Sequence, residues 1–274
     1  MRWRKLAAFV LSAAVLAFGL VGCAFDANSS QDGTSSRPSI VIGSDNFAPF
    51  NYLDENGDYT GIDVEFAREA FGRMGYDVKI EHINWEDKDI LLDSGEIDCV
   101  WDCYTMTGRE DEYAWAGPYM KSRQVVAVSP GSDIASLADL KGKVVAVQAT
   151  TKPEAILLNR TNPDVPEVAN VYSLTERLLL FPSLSKGYVD AIAAHEPMIL
   201  QYMEDYGVEY RILDESLLDV GLGVAFSKQR DGEVVSELNA VLDEMRADGT
   251  MERILAKYLD DPVRYLEVDG LVNK

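Results

Sequence analysis

Histidine, cysteine and positive charge are scarce: the 274 residues include 2 His, 3 Cys and 25 Lys plus Arg, against 46 Asp plus Glu. Each shortage excludes a class of function. His82, His195 and the Cys residues stand at no metal-ligand spacing, so neither a metal nor a cofactor is expected. Ser-His-Asp order, HExxH and a phosphate-binding glycine loop are all missing. The net charge of −21 grows to about −24 once Arg2, Arg4 and Lys5 are removed, and such a field repels nucleic acid and anionic lipid. Partners are therefore expected to be small molecules or proteins, and most Asp and Glu are expected to coat a solvated surface. Cys99 and Cys103 are separated by roughly 13 Å of extended chain, beyond the 4.4–6.8 Å a disulfide needs, so free or buried thiols are expected.

Long apolar runs are confined to the start of the chain. Arg2, Arg4 and Lys5 precede a run from Leu6 to Val21 broken only by Ser12 and Gly19, the layout of a secretory signal. The ending Leu20-Val21-Gly22-Cys23 resembles the lipobox of bacterial lipoproteins, which implies cleavage before Cys23, a diacylglycerol on its thiol and an extracytoplasmic domain anchored to the membrane. An uncleaved membrane helix is the alternative, because the apolar stretch reaches the ~20 residues that span a bilayer. Residues 23–37, rich in Ser, Asn, Asp and Gly, read as a flexible tether.

The remaining 237 residues are enough for one large or two modest domains. Strands are expected at Ser39–Gly43, Asp77–Ile83, Ile97–Trp101, Gln124–Val128, Lys143–Val147, Val168–Tyr172, Asp190–Ala193 and Gly221–Phe226. Between them, helices are expected after a capping Asp63, over Glu86–Ser94, from Pro153, and over Leu174–Leu184 and Pro197–Tyr206. Glu233–Ala247 and Thr250–Leu259 complete the set. Alternating elements predict an α/β protein of two lobes with parallel sheets, joined by two crossing strands.

The stretch from Ile40 to Gly75, IVIGSDNFAPFNYLDENGDYTGIDVEFAREAFGRMG, resembles the opening of family 3 extracellular solute-binding proteins, which serve polar amino acid ABC transporters. WEDKDILLDSGEID, TMTGREDEYAWAGPYM, VVAVQATTKPEAI and KGYVDAIAAHEPMI resemble later elements of that family, in the family's order. The resemblance implies a two-lobed periplasmic-binding-protein fold of type II. Lobe 1 would comprise 38–128 with 223–274, and lobe 2 would comprise 129–222. It also implies an amino acid in the cleft, an ABC permease with its ATPase as partners, and a monomer.

A free amino acid presents one carboxylate and one ammonium. Arg109 offers the planar fork that grips a carboxylate and matches the family's carboxylate-binding Arg, although Thr107-Gly108-Arg109 is one residue shorter than the family's form. Thr105 would add a hydroxyl and Cys103 a carbonyl, while Thr151 and the amides of the Ala149–Thr151 loop would complete the anion site from the other lobe. Phe47, Phe50 and Trp85 match the family's aromatic wall, with core packing as the rival role; Tyr52 and Trp101 are assigned to the core. His195 stands where the family usually has Asp, and an imidazole is no counter-ion for an ammonium at neutral pH. Glu196, Asp45 or Asp102 would then receive the ammonium, or the ligand is no ordinary α-amino acid. Val125–Ser129 and Leu222–Phe226 are the expected hinge segments.

Two other classes remain open. Some dehydratases resemble this fold, and Glu196 or Asp102 beside an Arg could act as a general acid. A sensory binding domain would carry a membrane span after the domain, and none follows before Lys274.

Overall fold

The computed structural model describes residues 37–230 and 232–272; the signal, Cys23 and the tether through residue 36 lie outside them. Strand β1 (Ser39–Ser44) leads through a small hairpin, β2 (Tyr52–Leu53) and β3 (Tyr59–Thr60), into helix α1 (Ile62–Arg73). Phe66, Ala67, Ala70 and Phe71 recur at helical spacing and form the buried face of α1. The helix closes at Met74, before Gly75 with φ +83°.

Asp63 does not cap α1. Gly61 occupies that position with φ +120°, and a Cβ there would lie 2.4 Å from the Phe50 carbonyl oxygen. That close approach lets the Pro49 and Phe50 carbonyls accept from the Ile62 and Asp63 amides, both at 2.9 Å. The loop after β1 thus caps the helix. Asp63 is freed to turn inward, where the Cys103 amide donates to it at 2.5 Å and the Tyr119 hydroxyl at 2.9 Å.

The chain continues as β4 (Asp77–His82), a 3-10 turn over Trp85–Asp87, α2 (Lys88–Ser94), β5 (Cys99–Val100) and the long β6 (Ala114–Val128). Next come β7 (Val144–Gln148), α3 (Lys152–Asn159), β8 (Asn170–Leu174), a 3-10 turn over Arg177–Leu179 and α4 (Leu180–Ser185). The expected helix over Leu174–Leu184 is therefore interrupted. The last elements are β9 (Ala191–His195), α5 (Glu196–Tyr206), the long β10 (Arg211–Phe226), α6 (Gly232–Ala247) and α7 (Thr250–Leu255).

Eight strands form one mixed sheet in the order β4-β1-β5-β10-β6-β9-β7-β8. Pairing is parallel within β4-β1-β5 and within β9-β7-β8, as the alternating pattern predicts. At the centre it is antiparallel, because β6 and β10 run side by side from Ala114–Phe226 to Val128–Arg211. This pair is longer than its apolar cores suggest, at 15 and 16 residues, and ties the two ends of the sheet together. One apolar cluster, including Phe71, Trp101, Met120, Phe181 and Ile192, covers one set of faces; Val126, Val145, Ile156 and Leu213 belong to a second. Each such side chain contributes about 1.5–3 kcal/mol by leaving water. Cys99 and Cys103 are free thiols, both buried.

Candidate functional site

The C-terminal ends of β1, β5, β7 and β9 converge beside the central pair. In open α/β sheets that edge is where ligands bind. Asp45 follows β1, Asp102 follows β5, Gln148 ends β7 and His195 ends β9.

A cavity at this edge is lined from the β5 side by Trp85, Asp102, Cys103, Thr105 and Arg109, and from the β7–β9 side by Thr151, Lys152, Arg177 and His195. Gln124, from the middle of β6, closes its floor. About 40 Å³ of the space admits water centres, room for a few waters at roughly 10–15 Å³ each. The two sides are drawn together by polar contacts that cross it. Arg109 Nη2 donates to the Thr150 carbonyl at 3.1 Å, and Lys152 Nζ to the Gly108 carbonyl at 2.7 Å. Lys88 Nζ reaches Thr150 Oγ1 at 3.2 Å, and burial pulls the Lys88 ammonium below its usual range.

Arg109 lies at the cavity with its guanidinium 5.1 Å from the Tyr104 ring centroid. Its Nη1 donates to the Thr105 carbonyl at 3.4 Å, and Glu112 pairs with its Nε at 3.5 Å. Gly108, at φ +71°, makes the turn that the shortened Thr107-Gly108-Arg109 segment requires. Thr105 is fixed by an isolated bridge to Leu222, which places it against β10.

The loop before α3 departs from the expected anion cradle. Ala149 N–H donates to the Leu174 carbonyl at 2.9 Å and Thr150 N–H to Glu154 Oε2 at 2.7 Å, so both amides are already committed. Thr151 lines the cavity, but its hydroxyl donates to the Gln148 carbonyl at 2.6 Å.

The aromatic wall is likewise redistributed. Trp85 faces the cavity, buried, and its Nε1–H has no hydrogen-bond partner among the described residues. Phe50 is fully buried, packed against Phe47 at 5.3 Å and edge-on to His195 at 6.4 Å; it supports the wall from behind. Phe47 lies outside the cavity lining and carries the Arg177 guanidinium, 3.6 Å above its ring. Trp101 belongs to the core as expected. Tyr52 does not: it is half-buried beside a separate side cavity with Phe47, Tyr202 and Tyr206.

Among the acidic candidates, Glu196 points elsewhere. It opens α5, its carboxylate pairs with Arg123 at 2.9 Å and Arg264 at 3.5 Å, and it is not part of the cavity lining. Asp45 and Asp102 are held by Arg177, whose Nη2 lies 3.5 Å from a carboxylate oxygen of each. Gln148 ties the group together, accepting from Arg177 Nε at 2.5 Å and donating to Asp45 at 2.8 Å. Ser44 Oγ donates to the other Asp102 oxygen at 2.8 Å. Burial drives Asp102 well above the usual carboxylate range, and the Asp45 charge adds to that push, while Arg177 opposes it.

His195 Nδ1 lies 2.9 Å from Ser122 Oγ and its Nε2 lies 2.7 Å from Gln124 Nε2. Being enclosed by protein pushes this imidazole down to about 3, with Arg177 and then Arg109 adding repulsion. The ring is neutral at physiological pH. Sequence reasoning missed Arg177, Gln124, Gln148, Lys152 and Lys88. Arg177 left one signal, a cation next to Glu176 at the head of the apolar run Leu178–Phe181.

Fold and site together define a two-lobed solute-binding architecture: two parallel sheet ends, two strands between them and a polar cleft at the strand termini. The model of the bacterial extracellular solute-binding proteins, family 3, matches residues 40–261, and the chain belongs to that family. The L-cystine-binding protein TcyA of Bacillus subtilis (strain 168) is 30% identical over 228 residues, covering 82% of each chain. An ABC uptake transporter substrate binding protein from Streptococcus pneumoniae, solved with bound histidine, superposes with a TM-score of 0.75 at 25% identity, covering 82% of this chain and 94% of that one. The ancestral amino acid-binding protein AncCDT-1, described as a precursor of cyclohexadienyl dehydratase, gives a TM-score of 0.69 at 26% identity, covering 80% and 95%.

Proposed function

We propose that this protein binds a small polar amino acid or similar solute outside the cytoplasm, in the cleft at the strand termini, and delivers it to an ABC importer. The observation that carries this reading is the convergence of Arg109 and Thr105 from one side with Thr151, Lys152 and His195 from the other on one buried polar cavity. Arg109 takes the ligand carboxylate. Its present partners are two carbonyls and an exposed Glu112, and a charge-assisted bond to a carboxylate contributes about 1.5–3 kcal/mol. Family membership supports the transporter partners, and the Cys23 lipobox supports a lipid anchor that holds the protein at the membrane surface.

Residues 38–128 with 223–274 and residues 129–222 act as the two lobes, hinged at Val125–Ser129 and Leu222–Phe226. A ligand touching both sides binds the closed arrangement better and shifts the population toward it, which is what the permease reads. The protein acts as a binder rather than a catalyst. Glu196 is paired away from the cavity, and both Asp102 oxygens already have partners, Arg177 on one and Ser44 on the other. A thermal-shift screen against amino acids tests the reading, because a ligand at 100 times its Kd stabilises the fold by about 2.7 kcal/mol. No shift with any of them would refute it.

A further inference from the structure

Four cations surround the cleft: Arg109, Lys152 and Arg177 line it, and Lys88 contacts Thr150 at its edge. Asp102 is the one carboxylate among the lining residues, and Arg177 already engages it together with Asp45 behind it. Arg177 is held on every side. It rests on the Phe47 ring, its Nε donates to Gln148, and it is 7% exposed. A guanidinium tied this way consumes the negative charge that a cationic ligand group would need, since a buried ion pair loses several kcal/mol when one partner is withdrawn.

The unpaired polar atoms agree with this balance. Trp85 Nε1–H is a buried donor without a partner, and Gln124 Oε1 is a buried acceptor without one; both residues line the cavity. Gln124 is 2% exposed, so its carbonyl oxygen calls for a donor from the ligand. A neutral acceptor of this kind receives an amine without a countercharge. The cations and the indole N–H receive anionic oxygen.

Building on the amino-acid reading above, we propose that the ligand is a small dicarboxylate, anionic overall, such as an acidic amino acid, and that Arg177 sets this charge preference. One carboxylate meets Arg109. The second lies toward Lys152 and Trp85, and the amine, where there is one, donates to Gln124 Oε1. Arg177 excludes cationic ligands by occupying Asp45 and Asp102.

The test is calorimetric titration of the full-chain protein at pH 7 with L-glutamate, L-aspartate, succinate, L-glutamine, L-cystine, L-lysine and L-arginine, repeated on Arg177→Gln. The expected result is binding of the dicarboxylates, none of L-lysine or L-arginine, and a loss of about tenfold or more for L-glutamate in the variant with a gain for L-arginine. Tighter binding of a neutral or cationic amino acid than of L-glutamate and L-aspartate overturns the charge assignment and leaves the amino-acid reading intact. Binding of succinate alone upholds the charge assignment and overturns the amino-acid reading. Binding of nothing overturns both. A folded Arg177→Gln protein with unchanged preference removes Arg177 from the explanation, and if the variant does not fold, the wild-type series decides the ligand charge by itself.

Discussion

Gln124 and His195 are register partners on β6 and β9, and their side chains meet at 2.7 Å. The pairing fixes the imidazole at the cavity, where burial, with repulsion from Arg177 and then Arg109, keeps it neutral down to about pH 3. A neutral ring cannot serve as the countercharge for an ammonium. His195→Asp puts a carboxylate beside Gln124 and among Arg177 and Arg109. The expected outcome is a changed order of ligand affinities, by about tenfold for ligands bearing an ammonium, with an unaltered circular-dichroism spectrum. An identical affinity series across a panel of amino acids would count against it.

Arg109→Ala removes the fork that faces the cleft and its bond to the Thr150 carbonyl. Loss of about 1.5–3 kcal/mol predicts roughly 10- to 100-fold weaker binding of any ligand carrying a carboxylate. The fold should survive, because Arg109 belongs to no helix or strand and its side chain is not in the apolar core. Calorimetry checks the first statement and thermal melting the second. Retained affinity would show that the carboxylate is held elsewhere.

Much of the architecture was readable from residue pattern. IVIG and VVAV are unbroken apolar runs that lie in β1 and β7, and the apolar spacing in α1 marks its buried face. β6 was legible only from Gln124 onward, because AWAGPYMKSR mixes polar residues with Gly117 and Pro118 and hides a strand that begins at Ala114. The site was half legible. Motif positions brought Trp85, Thr105, Arg109 and His195 to one cavity, yet Glu196, just past the end of β9, opens α5 and pairs with Arg123 and Arg264 instead. Arg177 escaped because nothing local tells that a charge in a leucine-rich turn will cross to Asp45 and Asp102.

Glu196 therefore offers a control. Glu196→Gln takes the Glu196 carboxylate away from Arg123 and Arg264, neither of which lines the cavity. Because Arg123 is partly exposed, the expected loss is about 1–2 kcal/mol of stability, less than for a fully buried pair. Ligand affinity should stay within about twofold. A large loss of affinity with normal melting would return Glu196 to the list of ligand contacts.

The long β6–β10 pair is the only hydrogen-bonded strand ladder that joins the two parallel ends of the sheet among the described residues. On the proposed hinge, bending there would open the cleft at the cost of the contacts from Arg109, Lys152 and Lys88 across it. Small-angle scattering with and without a proven ligand should show compaction on binding. An unchanged profile would rule out the hinge.

Asp63 supplies a pH dependence whose sign can be worked out. Its carboxyl is 1% exposed, and burial raises it to about 7, against the pull of the Cys103 amide and the Tyr119 hydroxyl. The ordinary value is 3.8, so between about pH 4 and pH 7 the folded chain keeps a proton that the unfolded chain has released. Asp63 thus contributes stability that is complete below pH 3.8 and declines as pH rises toward 7. His195 acts oppositely, because its folded value is depressed and its contribution falls away as pH drops below 6.5 toward 3. Comparing Asp63→Asn with wild type cancels His195 and every other group common to both. The stability difference should shift in the variant's favour by about 1.4 kcal/mol per pH unit from pH 4 to pH 7 and then level off. Denaturant melts across that range measure it, and a difference independent of pH would mean that Asp63 is ionised throughout, with the Cys103 amide and Tyr119 hydroxyl outweighing its burial.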